Sequence, residues 1–240
     1  MRIVQITDCH LHADPRARSR AGFPLRQLEA VVKAAIGERP DLVLVTGDIS
    51  QDETRTSYEL AHGVLARLDC PWFWMAGNHD QPQLMEAVKA IQTEVDLDGW
   101  RLLVVDTCVP GHAHGEVGES RLADLAERLV GDDRPTLLVM HHPPLVLGSA
   151  WLDAIGLKDR DALWQTLADF PQVRMVLCGH IHQALASHRQ GVAIYGTPST
   201  TDQFLPGSAD FAIDEASRPG YRIVDLTDSE WLTWVERVDL

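Results

Sequence analysis

The sequence predicts an α/β domain in which two β-sheets pack together with helices on the outside. Three observations predict it. Apolar, strand-like runs alternate with helix-like periodicities as far as Pro82, the mark of parallel βαβ units. Beyond that point several runs come in closely spaced pairs, as hairpins do. Five apolar runs end in Asp, His or Asn, and open α/β sheets gather ligands at the carboxyl ends of their strands. The 240 residues suffice for one well-buried domain, and no repeat, low-complexity tract or linker divides residues 1–240.

Residues 2–7 read as the first strand, followed by a loop over 8–22 whose Arg16, Arg18 and Arg20 read as solvated. Leu25, Leu28, Val32 and Ile36 recur at helical spacing and predict a helix over 25–38, stopped by Pro40. A strand from Leu42 runs to Asp48, a helix covers 54–68, and a third strand over 72–76 ends at Gly77. Pro82 opens a third helix in its first turn, where a missing N–H costs little. Residues 93–97 and 100–107 form a hairpin about Asp98-Gly99. A helix over 119–130 leads to a strand over 136–140, and a helix over 159–169 to a strand over 173–177. Short strands cover 184–188 and 192–195. A last hairpin joins 221–226 to 231–238 about Asp228-Ser229.

Composition narrows the function. With 21 basic and 35 acidic residues the net charge is −14, which excludes long DNA or RNA as substrate, because phosphate backbones are bound by basic surfaces. A small anion remains compatible, since bound divalent cations dominate their local field. No apolar run approaches the roughly 20 residues that cross a bilayer, and the N-terminus lacks a signal-peptide layout. A cytoplasmic protein without a membrane partner is expected. Cys9, Cys70, Cys108 and Cys178 show no Cys-x-x-Cys spacing and read as buried, reduced thiols.

The chemistry sits at the strand ends. These are Asp8-Cys9-His10, Gly47-Asp48, Gly77-Asn78-His79-Asp80, His141-His142 and Gly179-His180-Ile181-His182. Taken singly, each has an ordinary structural role: an Asp after Gly belongs in a turn, and Asn-His-Asp caps a helix. Jointly, seven potential ligands fall in order at five strand ends. Asp, Asn and His without thiolate suit Mn, Fe or Zn rather than a cysteine-type zinc site. Alternation along an extended Asp8-Cys9-His10 would turn Cys9 away from its neighbours' ligand face. Its position also suggests a site sensitive to oxidation.

This ordered set resembles the calcineurin-like metallophosphoesterases. The segment Gly196-Thr197-Pro198-Ser199-Thr200 with Gln203-Phe204, and Arg218-Pro219-Gly220-Tyr221-Arg222 after it, resembles the bacterial class III 3′,5′-cyclic nucleotide phosphodiesterases. The resemblance implies an αββα sandwich of two mixed sheets flanked by helices. It implies two divalent ions, Fe or Mn first, with Zn or Co as alternatives. Asp8, His10 and His182 would hold one ion, Asn78, His141 and His180 the other, and Asp48 would bridge them. A water between the ions would ionise near neutral pH and attack phosphorus. His79 would serve the leaving oxygen, with Asp80 orienting its ring. His10, Asp48, Asn78, His79 and His182 would border the bound phosphate.

The implied reaction is hydrolysis of 3′,5′-cyclic AMP to 5′-AMP by a monomer or homodimer. Alternatives are a glycerophosphodiester, a 2′,3′-cyclic nucleotide, or a non-catalytic scaffold. For 197–204, two readings stand level. In one, Ser199 and Thr200 hydrogen-bond substrate and Phe204 stacks on a base; in the other, the segment packs behind His180 and His182. His142 is expected to bond the backbone. His112 and His114 read as an exposed loop, and His12, His62 and His188 as non-functional.

Overall fold

A computed structural model describes every residue except Asp98 and Ser229, so the exact turns expected at those two positions lie outside the described residues. The first part of the chain forms β1 (Arg2–Ile6), α1 (Pro24–Gly37), β2 (Leu42–Thr46), α2 (Arg55–Leu65), β3 (Trp72–Met75) and α3 (Pro82–Glu86). Next come β4 (Glu94–Asp96), β5 (Arg101–Val105), α4 (Glu119–Leu129), β6 (Thr136–Met140), α5 (Ala150–Ala154), α6 (Arg160–Leu167) and β7 (Val173–Cys178). The chain closes with β8 (Leu185–Arg189), β9 (Val192–Gly196), β10 (Gly220–Leu226) and β11 (Trp231–Arg237). α5 was not expected: five residues are too few to show a helical period.

Two mixed sheets result, ordered β11-β10-β1-β2-β3 and β4-β5-β6-β7-β9-β8. The expected strand pairs exist at the sheet edges, and in the second sheet the inner strand of each, β5 and β9, joins the parallel centre. The centre of the second sheet is parallel, β5 to β6 to β7 to β9, so its core repeats the architecture of the first half. The last hairpin enters the first sheet, with β10 antiparallel to β1.

Side-chain alternation builds the layers. Val4, Ile6, Val43 and Val45 face α1 and α2, whereas Ile3, Leu42 and Leu44 face the second sheet. Leu138 and Met140 face α4 and α6, whereas Leu137 and Val139 face the first sheet. Both faces of each central strand are therefore buried, which is why these strands read as unbroken apolar runs. Each such Leu or Val contributes about 1.5–3 kcal/mol by burial. The order helix, sheet, sheet, helix is the αββα sandwich. Thr54 caps α2 by accepting the Ser57 N–H. Among the described residues, no helix is long and apolar enough to cross a membrane.

Candidate metal centre

The loops after β1, β2, β3, β6 and β7 meet at one edge of the sandwich, drawing on both sheets. Backbone bonds lock them together. Asp8 N–H donates to Gly47 O at 3.0 Å, His10 N–H to Asp48 O at 2.9 Å, and Gly179 N–H to His141 O at 3.1 Å. Asp8, His10, Asp48, His180 and His182 have φ of 55, 46, 51, 67 and 50°. Non-glycine residues in this left-handed region carry roughly 1–3 kcal/mol each, a strain that concentrates at functional sites. The extended conformation expected at Asp8 and His10 is thus replaced by tight turns. Cys9 still faces the core among Val4, Ile6 and Leu11. Gly77 is required for close approach, because a Cβ there would overlap the carboxylate and backbone nitrogen of Asp48.

The lone pairs converge. His141 Nδ1 lies 2.9 Å from Thr46 O and His182 Nδ1 lies 2.6 Å from Asp202 O. A carbonyl only accepts, so each Nδ1 carries a hydrogen, and a neutral ring then presents its lone pair at Nε2. His182 Nε2 then faces Asp8 Oδ1 at 3.3 Å and His10 Nε2 at 3.1 Å. His141 Nε2 faces Asp48 Oδ2 at 3.3 Å and Asn78 Oδ1 at 3.2 Å, and His180 Nδ1 lies 3.0 Å from the same amide oxygen. His10 Nε2 lies 3.8 Å from Asp48 Oδ2. With the rings neutral and ligating, acceptors face acceptors in a buried site and repel unless a cation lies between them; a proton on His141 Nε2 relieves the repulsion toward Asp48 until a metal displaces it. All seven expected ligands are brought together: the Asp and His members fall into groups that can hold one or two divalent ions, and Asn78 Oδ1 lies within 3.2 Å of His141 and His180.

The electrostatics agree. Burial pushes the Asp8 and Asp48 carboxyls upward, but the facing histidines outweigh it and hold both below their ordinary range. Burial also opposes charge on His141, yet Asp48 raises its pKa to about 9. Burial lowers His10 to about 4 and lowers His180 well below the usual value, favouring the neutral imidazoles that ligate metals.

His79 sits half-buried at the mouth. Its backbone N–H donates to Asp48 Oδ1 at 2.9 Å, and its ring meets the His10 ring edge-on at 5.1 Å. The expected orientation of this ring by Asp80 is corrected. Asp80 points inward and accepts the N–H groups of Ile49, Ser50 and Gly77 at 2.9–3.1 Å. Burial first, and then Asp48, raises the Asp80 pKa to about 7. The carboxylate ties the turn after β3 to the loop after β2.

The 197–204 segment divides between the two readings. Thr197 Oγ1 donates to Gln5 Oε1 at 2.6 Å, Ser199 Oγ to Asp8 O at 2.7 Å, and Thr200 N–H to Thr7 O at 3.2 Å. These buried residues form the framework behind Asp8. Phe204 lies against the centre, its ring stacked on His182 at 3.9 Å and 7°. His142 bonds Ala113 O and Thr107 Oγ1, as expected of a structural histidine. His112 is exposed and His114 half-buried. Cys9 is fully buried and burial pushes its thiol upward, which speaks against the expected sensitivity to oxidation.

A cleft of about 630 Å³ opens over the centre, lined also by Trp151, Phe211, Arg18 and Arg20. Sequence reasoning missed the aromatics and read the arginines as solvent-facing. The carbonyls of Thr46 and Asp202 were also missed, because a backbone oxygen leaves no residue-type signal.

Fold and site define a phosphoesterase with a dinuclear metal site. Residues 1–184 match the family model for calcineurin-like phosphoesterases, and the chain belongs to that family. It is 39% identical over 246 residues to the 3′,5′-cyclic adenosine monophosphate phosphodiesterase CpdA of Pseudomonas aeruginosa, covering 99% of this chain and 90% of the relative. Identity to the Escherichia coli K12 protein of the same name is 36% over 251 residues, with the same coverage. A dimetal phosphatase from Danio rerio superposes with a TM-score of 0.69 at 15% identity, covering 97% of this chain and 98% of that one, a likeness of fold.

Proposed function

We propose that this chain hydrolyses 3′,5′-cyclic AMP to 5′-AMP. The reading is carried by the convergence of seven ligand side chains at five strand ends. It is supported by the 39% identity, across 99% of this chain, to a protein bearing that activity in its name. Asp8, His10 and His182 would hold one divalent ion and Asn78, His141 and His180 the other, with Asp48 placed to serve both. The donor set suits Fe or Mn, with Zn or Co as alternatives. When bound, the pair supplies Lewis-acid polarisation of phosphoryl oxygens and a water-derived nucleophile at neutral pH.

The chain's own residues do the positioning. The Nδ1–H bonds to Thr46 O and Asp202 O fix the rings of His141 and His182. Asp48 anchors the backbone of His79, so that the His79 ring meets the leaving 3′ oxygen and gives it a proton as the P–O3′ bond breaks. His10, Asp48, Asn78, His79 and His182 border the phosphate. The protein acts on a small nucleotide in the cytoplasm, as one domain, monomeric or homodimeric, without nucleic-acid or membrane partners.

The test is kcat/KM for cyclic AMP against a generic aryl phosphodiester, with Mn²⁺-reconstituted protein. A strong preference for cyclic AMP with 5′-AMP as product is expected. Hydrolysis of both without preference would move the substrate to another small diester, such as a glycerophosphodiester or a 2′,3′-cyclic nucleotide. No hydrolysis of either would leave the non-catalytic scaffold.

A further inference from the structure

The cleft has a wall that the phosphate chemistry does not use. Phe204, Phe211 and Trp151 pack edge to face, with ring centroids 5.0–5.4 Å apart. One face of Phe204 is covered by His182 at 3.9 Å, so that face is committed to the metal centre. Phe211 differs. It is 45% exposed, and the guanidinium of Arg20 lies 4.8 Å from its ring centroid.

Arg20 is the arginine of its loop that faces this wall. Arg16 approaches Asp14 at 3.5 Å, and Arg18 lies over Phe23 at 4.8 Å. Arg20 is also tied to the centre. The Asp202 carboxylate accepts the Arg20 N–H at 3.4 Å and the Ala21 N–H at 2.6 Å, while Asp202 O accepts from His182 Nδ1. A planar cation therefore lies over an exposed aromatic ring beside the metal centre, in a protein of net charge −14.

We propose that Arg20 and Phe211 form a base clamp, in which the nucleobase of a nucleoside phosphate slides between guanidinium and ring while its phosphate sits on the metal centre. This rests on the nucleotide reading of the site and adds how the base is recognised. A base needs about 3.5 Å on each side, so the present gap must widen by roughly 2–3 Å. The Arg20 side chain is exposed and can swing that far. Base–aromatic stacking is worth roughly five- to hundredfold in affinity and is tolerant of base identity. The clamp thus selects nucleoside phosphates over base-free ones, and discriminates weakly among bases.

The experiment compares binding of 5′-AMP and ribose 5-phosphate to the Mn²⁺-loaded full chain by calorimetry, in wild type and in Phe211→Ala. The expected result is at least about tenfold tighter binding of 5′-AMP by wild type, shrinking to less than about threefold in the variant. A wild-type ratio near one, or a ratio that survives Phe211→Ala, overturns the clamp. Should Phe211→Ala fail to fold, Arg20→Ala takes its place: the ratio should again shrink below about threefold, and a ratio that survives overturns the clamp. Cyclic AMP turnover is scored separately. A base preference without turnover keeps the clamp and removes the proposed reaction. Turnover with a ratio near one removes the clamp and keeps the reaction.

Discussion

The Nε2 atoms of His10 and His182 face each other at 3.1 Å, while the Nδ1 of His182 is taken by Asp202 O and the buried Nδ1 of His10 has no partner among the described residues. If the His10 hydrogen is on Nδ1, that buried donor is unsatisfied and two lone pairs collide at Nε2. If it is on Nε2, the ring donates to His182 and cannot ligate. A cation at Nε2 removes the collision.

Metal should therefore stabilise the fold strongly. At a free metal concentration 100-fold above Kd, linkage gives about 2.7 kcal/mol. For a chain of this size that is a Tm rise of roughly 5–11 °C. Thermal unfolding of chelator-treated and Mn²⁺-loaded protein measures it. Equal Tm values under both conditions would contradict the centre as described.

Metal loading should also release a proton. Asp48 raises His141 to a pKa of about 9 against the effect of burial, so in the protein alone the ring is protonated at pH 7.5. Coordination through Nε2 requires it neutral. Calorimetric Mn²⁺ titrations in buffers of different ionisation enthalpy should show about one proton released at pH 7.5, declining as pH rises through about 9. A release independent of pH from 7 to 10 would remove His141 as the source.

His79 and Asp80 are adjacent in sequence but should fail differently. His79→Asn should lower kcat by roughly 10²–10⁴-fold with little change in Tm, because the ring is half-buried and its proposed role is to protonate the leaving group. Asp80→Ala strands the buried N–H groups of Ile49, Ser50 and Gly77, and each unsatisfied donor costs about 1–3 kcal/mol. Its Tm should fall clearly. An Asp80→Ala variant with wild-type Tm and a kcat loss like that of His79→Asn would restore Asp80 as the partner of the ring.

The contrast shows where sequence is legible. All seven ligands stand out because each ends a strand buried on both faces, a pattern visible as an apolar run broken by a polar residue. Asp80 misleads because its partners are backbone N–H groups, those of Ile49 and Ser50 in the loop after β2 and of Gly77 in its own turn, which no residue type announces. The parallel centre of the second sheet is obscured by the hairpins at its edges. Phe211 and Trp151 are invisible as a wall, since tertiary packing alone brings residues 204, 211 and 151 together. Ser199 and Thr200 look like substrate ligands because hydroxyls near a site can bind either a phosphate or a neighbouring carbonyl. The Ser199 hydroxyl is taken by the Asp8 carbonyl, and Thr200 is tied to the framework through its backbone N–H, which donates to Thr7 O.

Phe204 offers the sharpest separation of packing from ligation. Its ring lies parallel to His182 at 3.9 Å, and the far edge of His182 is held by Asp202 O at 2.6 Å. The imidazole is thus fixed by one hydrogen bond in its plane and one aromatic face against it. Phe204→Leu keeps an apolar side chain but removes the flat face, leaving the hydrogen bond alone to set the ring's tilt. Hydrogen-bonding partners of metal-ligating histidines are worth roughly 10–100-fold in affinity, which bounds the effect of losing the stacked face. Mn²⁺ affinity should fall, by up to that amount, in Phe204→Leu, while the calorimetric proton release, assigned to His141 in the other proposed ligand set, should persist. A variant that binds Mn²⁺ as tightly as wild type would show that Asp202 alone orients His182.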